Sequence, residues 1–468
     1  MPLGRVPPRE HQRSGLIKGP NPSLSVHKAK LSGTTRIAYS FAMQMAAILR
    51  TYGSPALRQC RRLSSKASVT TGIGTMSSQR SIAVVGAGLG GLICARILQL
   101  RNIPVVVYER EPTSTSRQQG GSLDMHPESG TKALEMAQLM HRFKEVARYE
   151  DQSMKIVGMD GTVHFADDDP VDGQVGDAPE VDRFLLRQIL LDSLKPGTVK
   201  WNHGVSKVVQ DDNKATLHFL DSALEPAVYD FVVGADGAWS RVRPSLSSAV
   251  PEYSGVTYID ISLVDVKKHY PDLAAFVKGG MAIVLGDNKG IIAQKNGNDV
   301  VRIYVAFRKP LAWLDEVGLN SLVSEGRYTE ARELLLKEFK GWFPQVTGYL
   351  KVPYSSMDVR PLFKLKHHQW LTNPHITLLG DGAHLMVPTG EGANFAMLDG
   401  LELATVIADN LSANKETWLR AIEVFEARMQ ARAWAEEDAE SGLDTAISDG
   451  DSAARVVSRW QQRMNAQS

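Results

Sequence analysis

The stretch from Ser81 to Glu111, SIAVVGAGLGGLICARILQLRNIPVVVYERE, constrains this chain more than any other. An apolar run, Ile82 to Val85, meets a glycine-rich turn. A helical pattern follows with apolar Leu92, Ala95, Ile97 and Leu98, and a second apolar run spans Val105 to Tyr108. This is a βαβ unit. Within it Gly86-x-Gly88-x-x-Gly91 follows a strand and opens a helix, the context in which such glycines carry chemistry. Gly86 permits the tight turn, Gly88 lets backbone approach a pyrophosphate, and Gly91 lets helix and strand pack closely. The helix N-terminus then offers unpaired N–H groups and the positive end of its dipole to phosphates. Glu109 ends the second strand, 23 positions after Gly86, where a carboxylate can accept hydrogen bonds from both ribose hydroxyls of an adenosine. It would repel a 2′-phosphate, so the turn predicts FAD or NAD rather than NADP at this first site.

Composition adds exclusions. The 468 residues suggest two to three domains and are 43% apolar and 22% charged, which rules out a disordered or collagen-like chain. Cys60 and Cys94 are too few for a disulfide framework and lack metal-ligand spacing. The net charge of +1 hides an asymmetry: residues 1–80 hold thirteen basic residues and one acid, and the remainder is −11. Residues 1–79 read as a disordered basic leader. Its one apolar stretch, Ile37 to Leu49, is well short of the ~20 residues of a membrane span. From Met43 the leader resembles a mitochondrial presequence; a dispensable leader ahead of Met76 is the alternative. The expectation is therefore cytoplasmic, or mitochondrial if the leader is a working presequence, with no nucleic-acid partner for so acidic a body.

Downstream, the pattern predicts helices at 128–149 and 182–194, a strand at 229–233, alternating segments between 256 and 307, a strand at 375–380 and a helix at 393–410. Trp418, Ile422, Phe425 and Met429 fall on one face of a long amphipathic helix that packs back on the body. No internal repeat is present. Two further motifs stand at strand ends: Asp236-Gly237 in FVVGADGAWSRVR, and Gly380-Asp381 in ITLLGDGAHLMVPTGEGANFAMLDG.

With these three motifs in order, the chain resembles the FAD-dependent aromatic-ring hydroxylases, the single-component flavin monooxygenases, and within them the tetracycline-degrading subgroup. The resemblance runs from about Ser81 to the last helix. It implies an α/β fold: a Rossmann-type FAD-binding domain with an inserted β-sheet substrate domain and a long C-terminal helix. The implied boundaries are 80–250 for the first part of the FAD-binding domain, with interleaved substrate-side strands at about 151–180. The substrate sheet then covers 251–370, the second part of the FAD-binding domain 371–411, and a helical segment 412–468. The resemblance assigns Gly86, Gly88, Gly91 and Glu109 to the FAD adenosine and pyrophosphate. Asp236 and Gly237 match a motif that handles FAD and NADPH pyrophosphates. Asp381 falls on the ribityl chain, and Pro388, Gly390, Gly392 and Asn394 fall beside the isoalloxazine ring. Asp124 matches a flavin-contacting Asp, Arg117 an NADPH-contacting Arg and Arg183 an FAD-binding Arg. The chain departs from the family pattern at Gly382-Ala383, in a shortened Pro388–Gly392 loop, and at Glu391, where Gln is usual.

The implied reaction takes NADPH, or NADH, and O2; reduced flavin forms a C4a-hydroperoxide that hydroxylates an electron-rich phenolic, polycyclic or polyketide-type molecule. No nucleophilic triad, metal or obligatory protein acid is expected. Alternation in VTYIDISL (256–263) puts Tyr258, Asp260 and Ser262 on one face, and in VVRIYVAF (300–307) it puts Arg302 and Tyr304 on one face, so one face of this sheet is polar and aromatic. If that face roofs the flavin, Arg302 grips a substrate oxygen, with Tyr258, Asp260 and Met281 nearby; a sheet facing solvent would give the same pattern. Their identities differ from the tetracycline-degrading pocket, so tetracycline itself is a doubtful substrate. His384 reads as structural, and Arg187 is open to reading as part of a solvated helix face. The alternatives are a flavin oxidase or dehydrogenase on the same fold, and a non-catalytic flavin-bearing protein; a halogenase lacks its WxWxIP segment here. A monomer is expected.

Overall fold

The computed structural model describes residues 80–116, 120–149, 153–167, 178–439, 443–448 and 450–467. The basic leader and Arg117 lie outside the described residues. The βαβ unit forms as read: strand Ile82–Val85, helix Leu89–Leu100 and strand Val105–Tyr108. These two strands sit in a five-stranded sheet, ordered 376–378, 231–234, 82–85, 105–108, 199–200, and every neighbouring pair is parallel. Ile82–Val85 is buried along its whole length, which is why its sequence shows no alternation.

A second sheet of seven strands runs 356–364, 252–263, 301–308, 289–295, 281–286, 154–158, 163–167. All its pairings are antiparallel except that of 281–286 with 154–158, which brings in a strand from the first part of the chain. One face carries Ile259, Ile261, Ile303 and Val305 into a core with the helices between 266 and 350. A small antiparallel sheet, 227–229, 215–219 and 205–210, was not anticipated as a separate element.

The two parts of the parallel layer are joined by helix Gly392–Asn410 lying on helix Leu89–Leu100. They touch backbone to backbone. A Cβ on Gly90 would stand 2.4 Å from the Ala396 carbonyl oxygen, and one on Gly400 2.3 Å from that of Gly90.

The single helix expected at 128–149 is divided into a π-helical turn, Pro127–Thr131, and helices Lys132–Met136 and Met140–Lys144. Gln138 takes a left-handed φ of 61°, and the Leu139 N–H reaches back to the Leu134 carbonyl at 2.9 Å, a Schellman-type stop. Reversing the chain there buries Leu134, Ala137, Leu139 and Phe143 together. The C-terminal segment is also more than one helix: Lys415–Asp438 is followed by Leu443–Ala446 and Ser452–Gln467. Asn414 caps the first by accepting the Thr417 N–H at 2.9 Å. Its expected face is buried: Trp418 packs edge-on against Phe231 at 4.9 Å and donates to the Pro374 carbonyl at 3.0 Å. The last helix lies against the second sheet, where Ala453 and Val457 join Ile156, Tyr258 and Leu285.

Because Trp418 ties the C-terminal helix to the parallel strand 231–234, Trp418→Ala is expected to lower stability by ~3–5 kcal/mol. Chemical denaturation followed by circular dichroism measures it, and a loss under ~1 kcal/mol would show that the helix is not docked as described.

Candidate functional site

A cavity of about 560 Å³ opens along the C-terminal ends of the parallel strands. Ligands of open α/β sheets bind at this end of the strands. The turn Gly86–Gly91, Glu109, Arg183, Asp236–Ala238, Gly380–Asp381 and Gly392 line it. Gly86 has φ 105°, and a Cβ there would meet the Ala235 carbonyl oxygen at 2.3 Å, so only glycine fits. Gly88 stands at the N-cap of the twelve-residue helix with open space where a Cβ would be and no side-chain cap. The first-turn N–H groups are thus left for a ligand. Glu109, 8% exposed, accepts from Ala87 N–H at 2.7 Å through Oε2 and from Glu111 N–H at 3.0 Å through Oε1. Each oxygen keeps a second acceptor position, enough for two ribose hydroxyls.

Arg187, open to reading as a solvated residue, is instead 2% exposed and braces this turn. Its Nε donates to the Ala87 carbonyl at 2.9 Å, Nη1 to the Ser114 carbonyl at 3.1 Å, and Nη2 meets Glu111 at 3.2 Å. Arg243, not singled out from sequence, does the same between the other two motifs. It donates to the carbonyls of Ala238 at 2.8 Å and Gly382 at 3.1 Å. Asp236 accepts from Ser240 Oγ and Arg241 N–H, both at 2.6 Å, and burial raises its carboxyl above the usual range. It organises the turn in which Gly237 takes φ 80°.

Asp381 is exposed to the cavity at the start of the short helix Asp381–His384. Gly380 before it, φ 57°, donates its N–H to buried Asp399 Oδ2 at 3.0 Å. Asp399 also receives His384 Nε2 at 2.7 Å and Arg432 Nη2 at 2.6 Å. Burial opposes its charge, yet His384 and Arg432 hold it below the ordinary carboxylate value. His384 holds the carboxylate that shapes the turn.

Beyond Asp381 the loop reaches helix Gly392–Asn410, whose N-terminus has no side-chain cap and no acid in its first turn. Pro388 and Gly390 are exposed, and open space surrounds a Cβ at Gly390 or Gly392. Asn394 is fully buried. Its Nδ2 donates to the Asp124 carbonyl at 2.8 Å and its Oδ1 accepts the His126 N–H at 3.1 Å, so it joins the helix to strand Ser122–Asp124. Burial raises the Asp124 carboxyl, with Glu391 adding to the rise. Across the ladder from Asp124 stands Glu180, which burial and Asp124 push up to about 8 against the pull of Arg148.

The four residues expected on the substrate side share one face of the seven-stranded sheet. Register places Tyr258 opposite Ala306, Asp260 opposite Tyr304, Ser262 opposite Arg302, and Met281 opposite Gln294. Protein covers that face over Asp260 and Tyr258, 2% and 8% exposed, while Arg360 and Asp358 on the neighbouring strand reach solvent at 40% and 62%. Arg302 Nε and Nη2 grip Asp260 at 2.7 and 2.6 Å, and Arg360 Nε, absent from the sequence reading, reaches the same carboxylate at 3.0 Å. Arg302 Nη1 presses on Gly120, where a Cβ would stand 1.4 Å away, and Gly120 and Arg360 both line the cavity. Tyr258 and Met281 lie in the cluster under the last helix. Asp124, Pro388, Gly390 and Asn394 sit next to the cavity wall through Gly392 rather than in its lining.

Residues 79–313 match the model of the FAD binding domain family. Monooxygenase asqM of Emericella nidulans is 31% identical over 377 residues, covering 70% of this chain and 83% of that protein. The chain belongs to the FAD-dependent monooxygenases. The 2,6-dihydroxypyridine-3-hydroxylase of Arthrobacter nicotinovorans shares the fold of this monooxygenase with a TM-score of 0.64 at 19% identity, covering 79% of this chain and 93% of that one. The tetracycline destructase Tet(51) does so at 0.60 and 20%, covering 83% and 96%. The open turn at Gly88, the half-used Glu109 carboxylate and the exposed Asp381 are a donor and acceptor set that fits FAD. Among the described residues no group of His, Cys, Asp or Glu could hold a metal ion, and no helix is long and apolar enough to cross a membrane.

Glu109→Ala strips two backbone N–H groups of their acceptor as well as the hydroxyl contacts. FAD affinity is expected to fall at least ~30-fold, at ~1–3 kcal/mol per lost partner. Flavin fluorescence titration reads it; unchanged affinity would remove Glu109 from the adenosine site.

Proposed function

We propose that this monooxygenase uses NADPH and O2 to hydroxylate an electron-rich phenolic or polycyclic small molecule. The supporting observation is the meeting of two surfaces: the cavity that fits FAD, and the sheet face where Arg302, held with Arg360 on Asp260, presses on Gly120 of the cavity lining. The bound flavin supplies electron transfer and oxygen activation. Gly86, Gly88, Gly91 and Glu109 bind its adenosine end, Arg183 and Asp236–Gly237 flank the pyrophosphate, and Asp381 takes the ribityl hydroxyls. Pro388, Gly390, Gly392, Asn394 and Asp124 frame the ring. An uncapped helix N-terminus there stabilises negative charge on a reduced ring.

Arg302 and Arg360 share a single buried carboxylate, so the group keeps positive charge on the cavity side; Asp358, 3.8 Å from Arg360, is largely exposed and screens it weakly. A phenolate or enolate oxygen held there keeps the ring electron-rich, and bidentate pairing fixes Arg302 before substrate arrives. Tyr304 beside it, with a phenol that burial pushes up to about 12, stays neutral and offers an O–H donor or acceptor. Two of the relatives named above act, by their names, on a dihydroxylated heteroaromatic and on tetracycline, and both substrates are electron-rich. Tyr258 and Met281 back this surface from beneath the last helix.

The test is a screen of phenols for stimulated NADPH oxidation with O2 uptake and product analysis. Hydroxylated product is expected; stoichiometric H2O2 without product would make the protein an oxidase instead. With a substrate in hand, Arg302→Met should raise KM ~10–100-fold, as loss of a charged hydrogen bond does, while NADPH oxidation without substrate stays unchanged.

A further inference from the structure

Behind the proposed ring site lies an ion pair that none of these roles uses. His126 Nδ1 stands 2.6 Å from Glu391 Oε1, with both side chains almost wholly buried. His126 follows strand Ser122–Asp124, and Glu391 sits at the end of the loop from Pro388 and caps nothing in helix Gly392–Asn410. Glu391 Oε2 is buried and accepts no hydrogen bond from any described residue. A buried carboxylate half-satisfied in this way is costly unless a positive charge faces it, and His126 is the group placed to supply one. We propose that His126 and Glu391 form a protonation-controlled latch that holds the Pro388–Gly392 loop against the 122–126 segment and sets how tightly the protein keeps FAD. The proposal rests on the reading that this loop flanks the flavin.

The surroundings favour the charged form of His126. Burial opposes it, but the Glu391 hydrogen bond and charge, then Asp124 and Glu436, raise the imidazole above its ordinary value. Asp124 comes from the adjoining strand and is itself faced by Glu180 and Arg148; Glu436 comes from helix Lys415–Asp438. Asp399 on the loop's own helix is committed to His384 and Arg432. Asn394 bridges the same two segments through uncharged bonds, so it holds at every pH what the latch adds to only while His126 is protonated. The sign follows: a raised histidine is fully paired below its unfolded value, and its contribution disappears as pH rises through the folded one. His126 and Glu391 are positioning residues; neither is assigned contact with substrate.

The experiment follows FAD release from the holoenzyme by recovery of flavin fluorescence between about pH 6 and about pH 9.5, a window spanning the ordinary imidazole value and a raised one. In the wild type the release rate should climb at least ~10-fold, one pKa unit of coupling. In E391Q, which keeps a hydrogen bond without the charge, and in H126Q, the rate should be flat over the same range. E180Q should keep the wild-type rise, which separates the latch from the neighbouring carboxyl near 8. A flat wild-type profile, or a full rise retained in E391Q, overturns the proposal. The His126 ring signal in NMR, titrating above about 6.5 and returning toward it in E391Q, tests the pair without reference to flavin. If the protein holds no FAD, the function proposed above fails, and this second measurement still decides the pair.

Discussion

The structure depends on backbone touching backbone where two distant parts of the chain meet. Helix Leu89–Leu100 and helix Gly392–Asn410 come together through Gly90 and Gly400, each with the other segment's carbonyl oxygen where a Cβ would be. Side chains of ordinary size would hold two helices ~8–10 Å apart. The closer approach brings the Asp381 turn level with the Gly86–Gly91 turn, so one cavity can be lined by both. In the function proposed above, a cofactor spanning adenosine to ring needs that coincidence, because the turns assigned to its two ends lie about 300 positions apart in the chain.

Around this contact, buried charge is organised in closed groups. Arg187 with Glu111, Arg432 with Asp399 and Glu402, and Arg302 with Asp260 each place guanidinium on a largely buried carboxylate, and half-exposed Arg360 adds to the last. Pairs of this kind add little net stability over apolar packing, but removing one member leaves an uncompensated charge at a cost of ~3–5 kcal/mol. Their common feature is place rather than strength. Each fixes a loop or a strand face that borders the cavity, so they pre-organise geometry that a flexible glycine-rich lining could not hold alone.

How far the sequence discloses this follows from the range of the interactions. The βαβ unit, the Gly380-Asp381 turn and the buried stripe Trp418, Ile422, Phe425, Met429 were legible because each is a local pattern with its own period or spacing. The break at Gln138 was not: nothing in its neighbours marks a left-handed residue, and burial of Leu139 and Phe143 decides it. Arg187 is ambiguous as sequence because a charged residue on a helix face is solvated by default, and only the arrival of Ala87 and Ser114 carbonyls buries it. Arg360 and His126 carried no local signal at all. Their partners are set by strand register and by a loop whose Glu391 lies 265 positions beyond His126.

Alternation is an incomplete guide to the sheet for the same physical cause. A half-polar face implies water on one side, yet here Asp260 is almost fully buried, and water is met at the edge, by Asp358 and Arg360. Gln294 donates to the Ser122 carbonyl at 3.3 Å, and Tyr258 meets the last helix. An Asp between two guanidiniums in such a seam cannot be a solubility feature, since no solvent reaches it. Its effect is to lock Arg302 into one bidentate orientation with Nη1 against Gly120, and an arginine without that partner would lose rotamer freedom on every binding event. The carboxylate thus converts a flexible cation into a fixed one, and the orientation is set before any ligand enters the cavity.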